Sequence, residues 1–188
     1  MLFLVPCHWQ GPLPRSIFAL QNYNVMKVKE TIAFIGDSDK TCNQLIERLA
    51  AENYPLVLVA KEGNHFEELS GQILNRVPDA DIEVITCERE GCWEADVIVF
   101  DSSVDFNTAL VGKIKEVTNQ KILIYVLDKT GQPDSINAFK SFQQLLPTTQ
   151  WVQLTIDPVS HDIQIAGDEK AKAVAEKIFN PEVYASGN

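Results

Sequence analysis

Basic residues are scarce in this chain. Sixteen lysines and arginines face 26 aspartates and glutamates, a net charge of −10. Nucleic acid and anionic membrane both need a basic surface, so neither is an expected partner. Histidine is scarcer still, at His8, His65 and His161. None has a visible catalytic companion. A Ser-His-Asp set can be drawn from Ser102, His161 and Asp101, but the G-x-S-x-G elbow that presents such a serine is missing. Four cysteines, Cys7, Cys42, Cys87 and Cys92, form neither a disulfide framework nor a zinc spacing. Reduced thiols in a cytoplasmic protein are the simplest expectation. No apolar run approaches the length of a membrane span. Repeats and low-complexity tracts are absent.

What remains is a soluble-type composition, 45% hydrophobic and 22% charged over 188 residues, enough for one domain with a sizeable core. Residues 1–28 stand apart, with several prolines and no periodicity. The opening apolar run lacks a basic flank and ends at Pro6, unlike a signal peptide. Met26 precedes Lys27 and Lys29 and would serve as a start, making the preceding segment an extension. The competing expectation is an arm anchored by Phe3, Trp9 and Phe18.

From residue 29 onward strands alternate with helices. Ile32 to Ile35 is a short apolar run ended by Gly36. Cys42, Leu45, Ile46, Leu49 and Ala50 then recur at three and four, one apolar face of a helix. Leu56 to Val59 is the next strand. The same alternation gives a helix with Phe66, Leu69, Ile73 and Val77 inward, and a strand at Ile82 to Ile85. A polar stretch from Cys87 to Glu94 follows, read as having no room for a full helix. Ala95 to Phe100 is a strand, Phe106 to Val117 a helix, Ile122 to Leu127 a strand. A helix carrying Ile136, Phe139, Phe142 and Leu146 is closed by Pro147. Trp151 to Ile156 and Ile163 to Ala166 are the last strands. A final helix turns Ala171, Val174, Ala175 and Ile178 inward, with Asp168 as its N-cap. The pattern predicts a doubly wound α/β domain with a mostly parallel sheet and helices on both faces.

The strand, turn and helix around Gly36 carry the functional question. Such a turn points backbone N–H groups at whatever lies above the strand ends, often a phosphate. Against the G-x-G-x-x-G fingerprint, the register Gly36-Asp37-Ser38-Asp39-Lys40-Thr41 keeps only the first glycine. Ser38 stands at the position of closest pyrophosphate approach, and Thr41 where a small residue lets helix and strand pack. Asp37 and Asp39 suit a helix N-terminus but repel a phosphate. Two readings stay open: a phosphate-binding loop using Gly36, Ser38, Asp39, Lys40 and Thr41, or an ordinary capped turn. A Walker loop is excluded, because Phe34 and Asp39 occupy its glycine positions. Lys61 follows the second strand, where a cation suits the 2′-phosphate of NADP; with Glu62 it could equally form a solvated pair. Asp101-Ser102-Ser103 ends the fourth strand at the ligand-binding edge. Asp37, Asp39 and Asp101 with Lys129 suggest a Mg²⁺ phosphoacceptor site, but the third strand lacks the acid that such a site needs.

Several segments together carry a family resemblance. Ile32-Ala-Phe-Ile-Gly36, Ala95-Asp-Val-Ile-Val99, Ile124-Tyr-Val-Leu-Asp128 with Thr130, Leu146-Pro147, and Gln164-Ile-Ala-Gly-Asp-Glu-Lys-Ala-Lys-Ala173 resemble the Rossmann-fold deazaflavin-dependent NADP oxidoreductases. The likeness spans Lys29 to Phe179. It implies a Rossmann-like NAD(P)-binding domain over 29–188, NADP as cofactor, Lys61 as reader of the 2′-phosphate, and a cofactor site including Ser102 and Ser103. The family's proline after the fourth strand is replaced here by Asp101-Ser102-Ser103, and its asparagine-containing segment after the sixth strand is missing. Both departures fall where cofactor and second substrate would sit. Two functions are therefore expected as alternatives: an NADP-binding oxidoreductase-like protein, or a non-catalytic binding protein on the same frame. The expected partner is a small molecule, with a homodimer as candidate assembly.

Overall fold

The computed structural model describes residues 29–36, 40–60, 65–104, 106–128, 133–157, 160 and 162–179. The elements run β1 (Ile32–Ile35), α1 (Lys40–Ala51), β2 (Leu56–Val59), α2 (Phe66–Arg76), β3 (Ile82–Ile85), α3 (Glu88–Glu94), β4 (Val97–Phe100), α4 (Thr108–Ile114), β5 (Ile122–Asp128), α5 (Pro133–Leu145), β6 (Gln150–Ile156), β7 (Ile163–Gly167) and α6 (Glu169–Phe179). The strands form one sheet in the order β3-β2-β1-β4-β5-β6-β7. All neighbours are parallel except β6 and β7. The domain is the doubly wound α/β frame that the strand and helix alternation predicts, and its topology is Rossmann-like.

The winding follows from what each strand must bury. Ile32, Phe34, Leu56, Leu58, Val97, Val99, Ile124, Val126, Val152 and Leu154 point to one face, where α1, α2 and α6 cover them. Ala33, Ile35, Val57, Val59, Ile98, Phe100, Leu123, Tyr125 and Trp151 point to the other, under α3, α4 and α5. Strands buried on both faces must be apolar throughout, and β1, β2 and β4 are. The five residues spaced along α1 as its inward face are its buried ones. That helix stops at Asn53, which adopts φ 58°. Tyr54 N–H then reaches Leu49 O and Asn53 N–H reaches Ala50 O, the double bond pattern of a left-handed helix cap.

One expected loop is a helix. Residues Cys87 to Glu94 were too polar and too short to suggest a crossover helix, yet α3 occupies Glu88–Glu94. It fits because Gly91 has no side chain: a Cβ there would lie 2.5 Å from Val59 Cγ2. The short helix thus lies directly on β2, with Cys92 and Ala95 buried beneath it. Lys121 closes its end. Its Nζ donates to the carbonyls of Cys92 (2.6 Å), Trp93 (2.5 Å) and Ala95 (2.7 Å), satisfying acceptors a helix C-terminus leaves over.

Candidate functional site

The strand order reverses between β1 and β4: the chain winds outward through β2 and β3, then returns to the other side of β1. Ligands of open α/β sheets bind outside the carboxyl ends at such a point. Here those ends are Ile35 and Phe100, paired in register. The next residues on each strand, Gly36 and Asp101, form the floor of the crevice.

Gly36 has φ +152°, a conformation that side chains disfavour. Space forbids a side chain as well. A Cβ on Gly36 would lie 2.0 Å from Asp101 Cγ, 2.1 Å from its Oδ2 and 2.2 Å from its Oδ1. The Asp101 carboxyl group therefore rests directly against the Gly36 backbone, and Asp101 is only 2% exposed. Its N–H donates to Ile35 O (3.2 Å), continuing the β1–β4 ladder by one step. Its Oδ1 accepts from Ser103 N–H (2.8 Å) and from Ser103 Oγ (2.5 Å). Val104 N–H closes the turn onto Asp101 O (3.3 Å). The corner Asp101–Val104 is thus built around its own carboxylate, as short acidic side chains do in turns.

The predicted site residues divide as follows. Gly36, Ser102 and Ser103 stand at the crevice, with Ser102 and Ser103 exposed and the Ser103 hydroxyl bonded to Asp101. Lys40 is exposed at the first residue of α1. Thr41 lines a cavity of about 190 Å³ together with Leu45, Arg48, Ile156 and Ile163. Ser38, Asp39 and Lys61 lie outside the described residues. On the opposite face, beside Ile35, a second cavity of about 260 Å³ is lined by Val104, Asn107, Leu110, Glu88 and Lys113. The Lys113–Glu88 ion pair spans 2.9 Å at this cavity. Asn107 caps α4 there, its side chain accepting from Leu110 N–H at 3.0 Å. Among the described residues no group of three or more His, Cys, Asp or Glu could hold a metal ion, and no helix is long and apolar enough to cross a membrane.

The sequence places Asp101 at the ligand-binding edge after the fourth strand; its place as the crevice floor, against Gly36, is tertiary. The register could have found it: an acid directly after an apolar strand, laterally opposite the lone glycine of its neighbour. The fit of a dinucleotide is accordingly divided. The Gly36 turn and the opening of α1 suit a pyrophosphate. A buried carboxylate against that turn does not, because it places like charge where the phosphates would lie.

A second site-like feature is structural. Gly167 has φ +148°, and a Cβ on it would lie 2.1 Å from Trp151 O. Asp168 N–H donates to Trp151 O (3.0 Å), and Trp151 N–H donates to Asp168 Oδ2 (2.8 Å). The Ala-Gly-Asp turn locks β7 onto β6. Asp168 holds the N-cap position of α6, but its carboxylate is spent across the sheet.

Neither a protein-family model nor a curated protein matches the chain. Solved structures do. One from Arthrobacter sp., described as an F420-dependent NADP reductase, aligns with a TM-score of 0.57 at 14% identity, covering 83% of this chain and 81% of the other. An imine reductase variant from Myxococcus stipitatus in complex with NAD+ aligns at 0.59 and 13% identity, covering 81% of this chain and 52% of that one. The same organism's imine reductase in complex with NADP+ aligns at 0.55 and 10% identity, covering 80% and 51%. The chain spans about half the length of these imine reductases. The neighbours are NAD(P)-dependent Rossmann reductases, and at such identities the likeness is one of fold.

Proposed function

We propose that this chain is a nicotinamide-dinucleotide-binding protein on an oxidoreductase frame, of the deazaflavin-dependent NADP reductase type, in which hydride-transfer activity is lost or nearly so. The observation that carries the reading is Gly36 with φ +152° at the end of β1, at the β1/β4 reversal and on the strand that precedes α1. Both a deazaflavin and a nicotinamide bring their own redox chemistry, so a protein of this type needs to supply only positioning. The serine corner in place of a proline after β4 supports loss of turnover. So does the absence of an asparagine segment between Ile156 and Ile163.

NADP is the proposed cofactor, because Lys61 follows β2 where the 2′-phosphate would lie. A charge-assisted contact of this kind contributes about 1.5–3 kcal/mol. Calorimetric titration should then give NADP roughly ten- to a hundred-fold tighter than NAD. Lys61→Ala should erase the difference while leaving NAD nearly unchanged. Equal weakening of both cofactors would make Lys61 structural and remove the NADP assignment. Turnover of NADP with deazaflavin or flavin at about 1 per second or faster would overturn the loss of activity.

A second reading is favoured by one observation, the buried Asp101 carboxylate against Gly36. On that reading the crevice takes no dinucleotide and the domain is a binding module, with a homodimer as its candidate assembly. Failure of both cofactors to bind at millimolar concentration would select it.

A further inference from the structure

We propose that the outer edge of β7 pairs antiparallel with β7 of a second copy of this chain, joining the two sheets across a two-fold axis at Ile165. The edge is separated from the Gly36 crevice by β5 and β6, so the pairing is independent of which ligand the crevice takes.

The sheet has two edges, β3 and β7. Acids guard the first: Glu83 lies within β3, and Asp79 and Asp81 just before it. β7, Ile163-Gln-Ile-Ala-Gly167, carries no charge and no proline, in a chain of net charge −10. An unguarded edge is a template for another strand. A neutral strip is also where two acidic chains repel each other least.

Register decides which strand fits. Asp157 N–H donates to Asp162 O (3.0 Å), and Asp168 N–H donates to Trp151 O (3.0 Å). Both pairs continue the β6–β7 register, so the even-numbered residues of β7 bond inward to β6. Ile163, Ile165 and Gly167 therefore turn N–H and C=O outward, where they meet no partner among the described residues. An outward set centred on Ile165 matches itself under a two-fold rotation. Ile165 exchanges both bonds with Ile165 of the second copy, and Ile163 does so with Gly167. Side chains fit the same register: Ile163 faces Gly167 and Gln164 faces Ala166, large against small. Ala166 lines a cavity of about 210 Å³ with Trp151 and Gln153, which leaves room for Gln164 of the second copy. Ile163 and Ile165, half-buried on the α6 face, lose exposed area on pairing.

The register carries one cost. It sets Asp162 opposite Asp168 of the second copy, at both ends. Asp168 is turned inward onto Trp151 N–H (2.8 Å) and Asp162 accepts from Ser160 Oγ (2.7 Å), yet like charges opposite each other still repel. Salt should therefore strengthen the dimer.

The test is sedimentation equilibrium of the full chain at low and high salt, with amide exchange beside it. A monomer–dimer equilibrium with a Kd of about 1–50 μM is expected, tightening with salt. Amides of Ile163, Ile165 and Gly167 should gain protection as protein concentration rises, while those of Gln164 and Ala166 stay protected throughout. Ile165→Pro removes an outward donor that β6 does not use and should weaken the dimer about tenfold or more. If the proline lowers the melting temperature, Ala166→Glu at an exposed position carries the same expectation. Asp162→Asn should tighten the dimer and remove most of its salt dependence. A chain still monomeric at about 200 μM, a dimer indifferent to both Ile165→Pro and Ala166→Glu, or open-ended association overturns the proposal. Protection of the odd-numbered amides at every concentration also overturns it, by placing a segment of the same chain on the edge.

Discussion

Gly36 and Asp101 are a pair in which neither residue can be understood alone. A Gly36→Ala change meets two costs: a backbone conformation that disfavours any Cβ and a carboxyl group about 2 Å from where that Cβ must sit. Together these should destabilise the fold by about 3 kcal/mol or more. In an Asp101→Ala background the second cost disappears, so Gly36→Ala should cost at least about 1 kcal/mol less there. A denaturant double-mutant cycle measures the coupling; strictly additive effects would show that the contact carries no energy. Cys92 gives a second residue-scale expectation. Burial pushes its thiol up to about 12, while an unfolded thiol titrates near 8.5. The folded state thus keeps a proton that the unfolded state gives up, and stability falls as pH rises between about 9 and about 12. The slope approaches about 1.4 kcal/mol per pH unit. Tyr54, also raised by burial, adds a slope of the same sign above about pH 10. Cys92→Ala should remove most of the decline between pH 9 and 10 in alkaline denaturation. In thiol labelling, exposed Cys87 should react at once, while buried Cys42 and Cys92 wait for unfolding.

At the scale of elements, the sequence was most legible where periodicity alone decides. The runs Ile32–Ile35, Leu56–Val59 and Ile82–Ile85 are the observed strands; for the first two, burial between two helix layers leaves little freedom to be anything but apolar. The face of α1 was legible for the same reason. α3 was not, because what makes it a helix is tertiary: the missing Gly91 side chain over Val59 and a lysine from the start of β5 capping its carbonyls. Neither partner is near it in sequence. The crevice was half legible. Gly36 was visible as the turn, but Asp101 became its floor only through strand register, and Ser38, Asp39 and Lys61 lie outside the described residues. Lys121→Met tests the capping. It leaves three carbonyls without their donor and should cost about 1–3 kcal/mol in chemical denaturation. The exchange of amides in α3 should accelerate ahead of those in β4. Uniform acceleration across the sheet would mean that α3 has no local stability of its own.

At the scale of the whole molecule, the frame and its contents come apart. Fold-level likeness to NAD(P)-dependent reductases holds across more than four-fifths of the chain for the Arthrobacter structure. At the crevice of this chain, the Asp101 carboxyl group rests against Gly36. A fold does not fix an activity; a site does. The chain enters β1 through several fixed contacts. Lys29 donates to Glu52 O and lies over the Tyr54 ring at 4.3 Å. Glu30 accepts from Lys177 at 2.6 Å, tying the entry to the last helix, while Thr31 N–H donates to Asp96 at 2.9 Å. These contacts begin three residues after Met26, and they hold the chain against α1, α6 and the loop before β4. If residues 1–25 are an extension, the protein started at Met26 should keep its melting temperature within about 2 °C of the full chain. For a domain of this size that corresponds to less than about 1 kcal/mol. An arm that buries Phe3, Trp9 and Phe18 would contribute several kcal/mol. Its removal would then lower the melting temperature by roughly 10 °C or expose enough apolar surface to precipitate the protein. Either result would assign residues 1–25 to the folded unit.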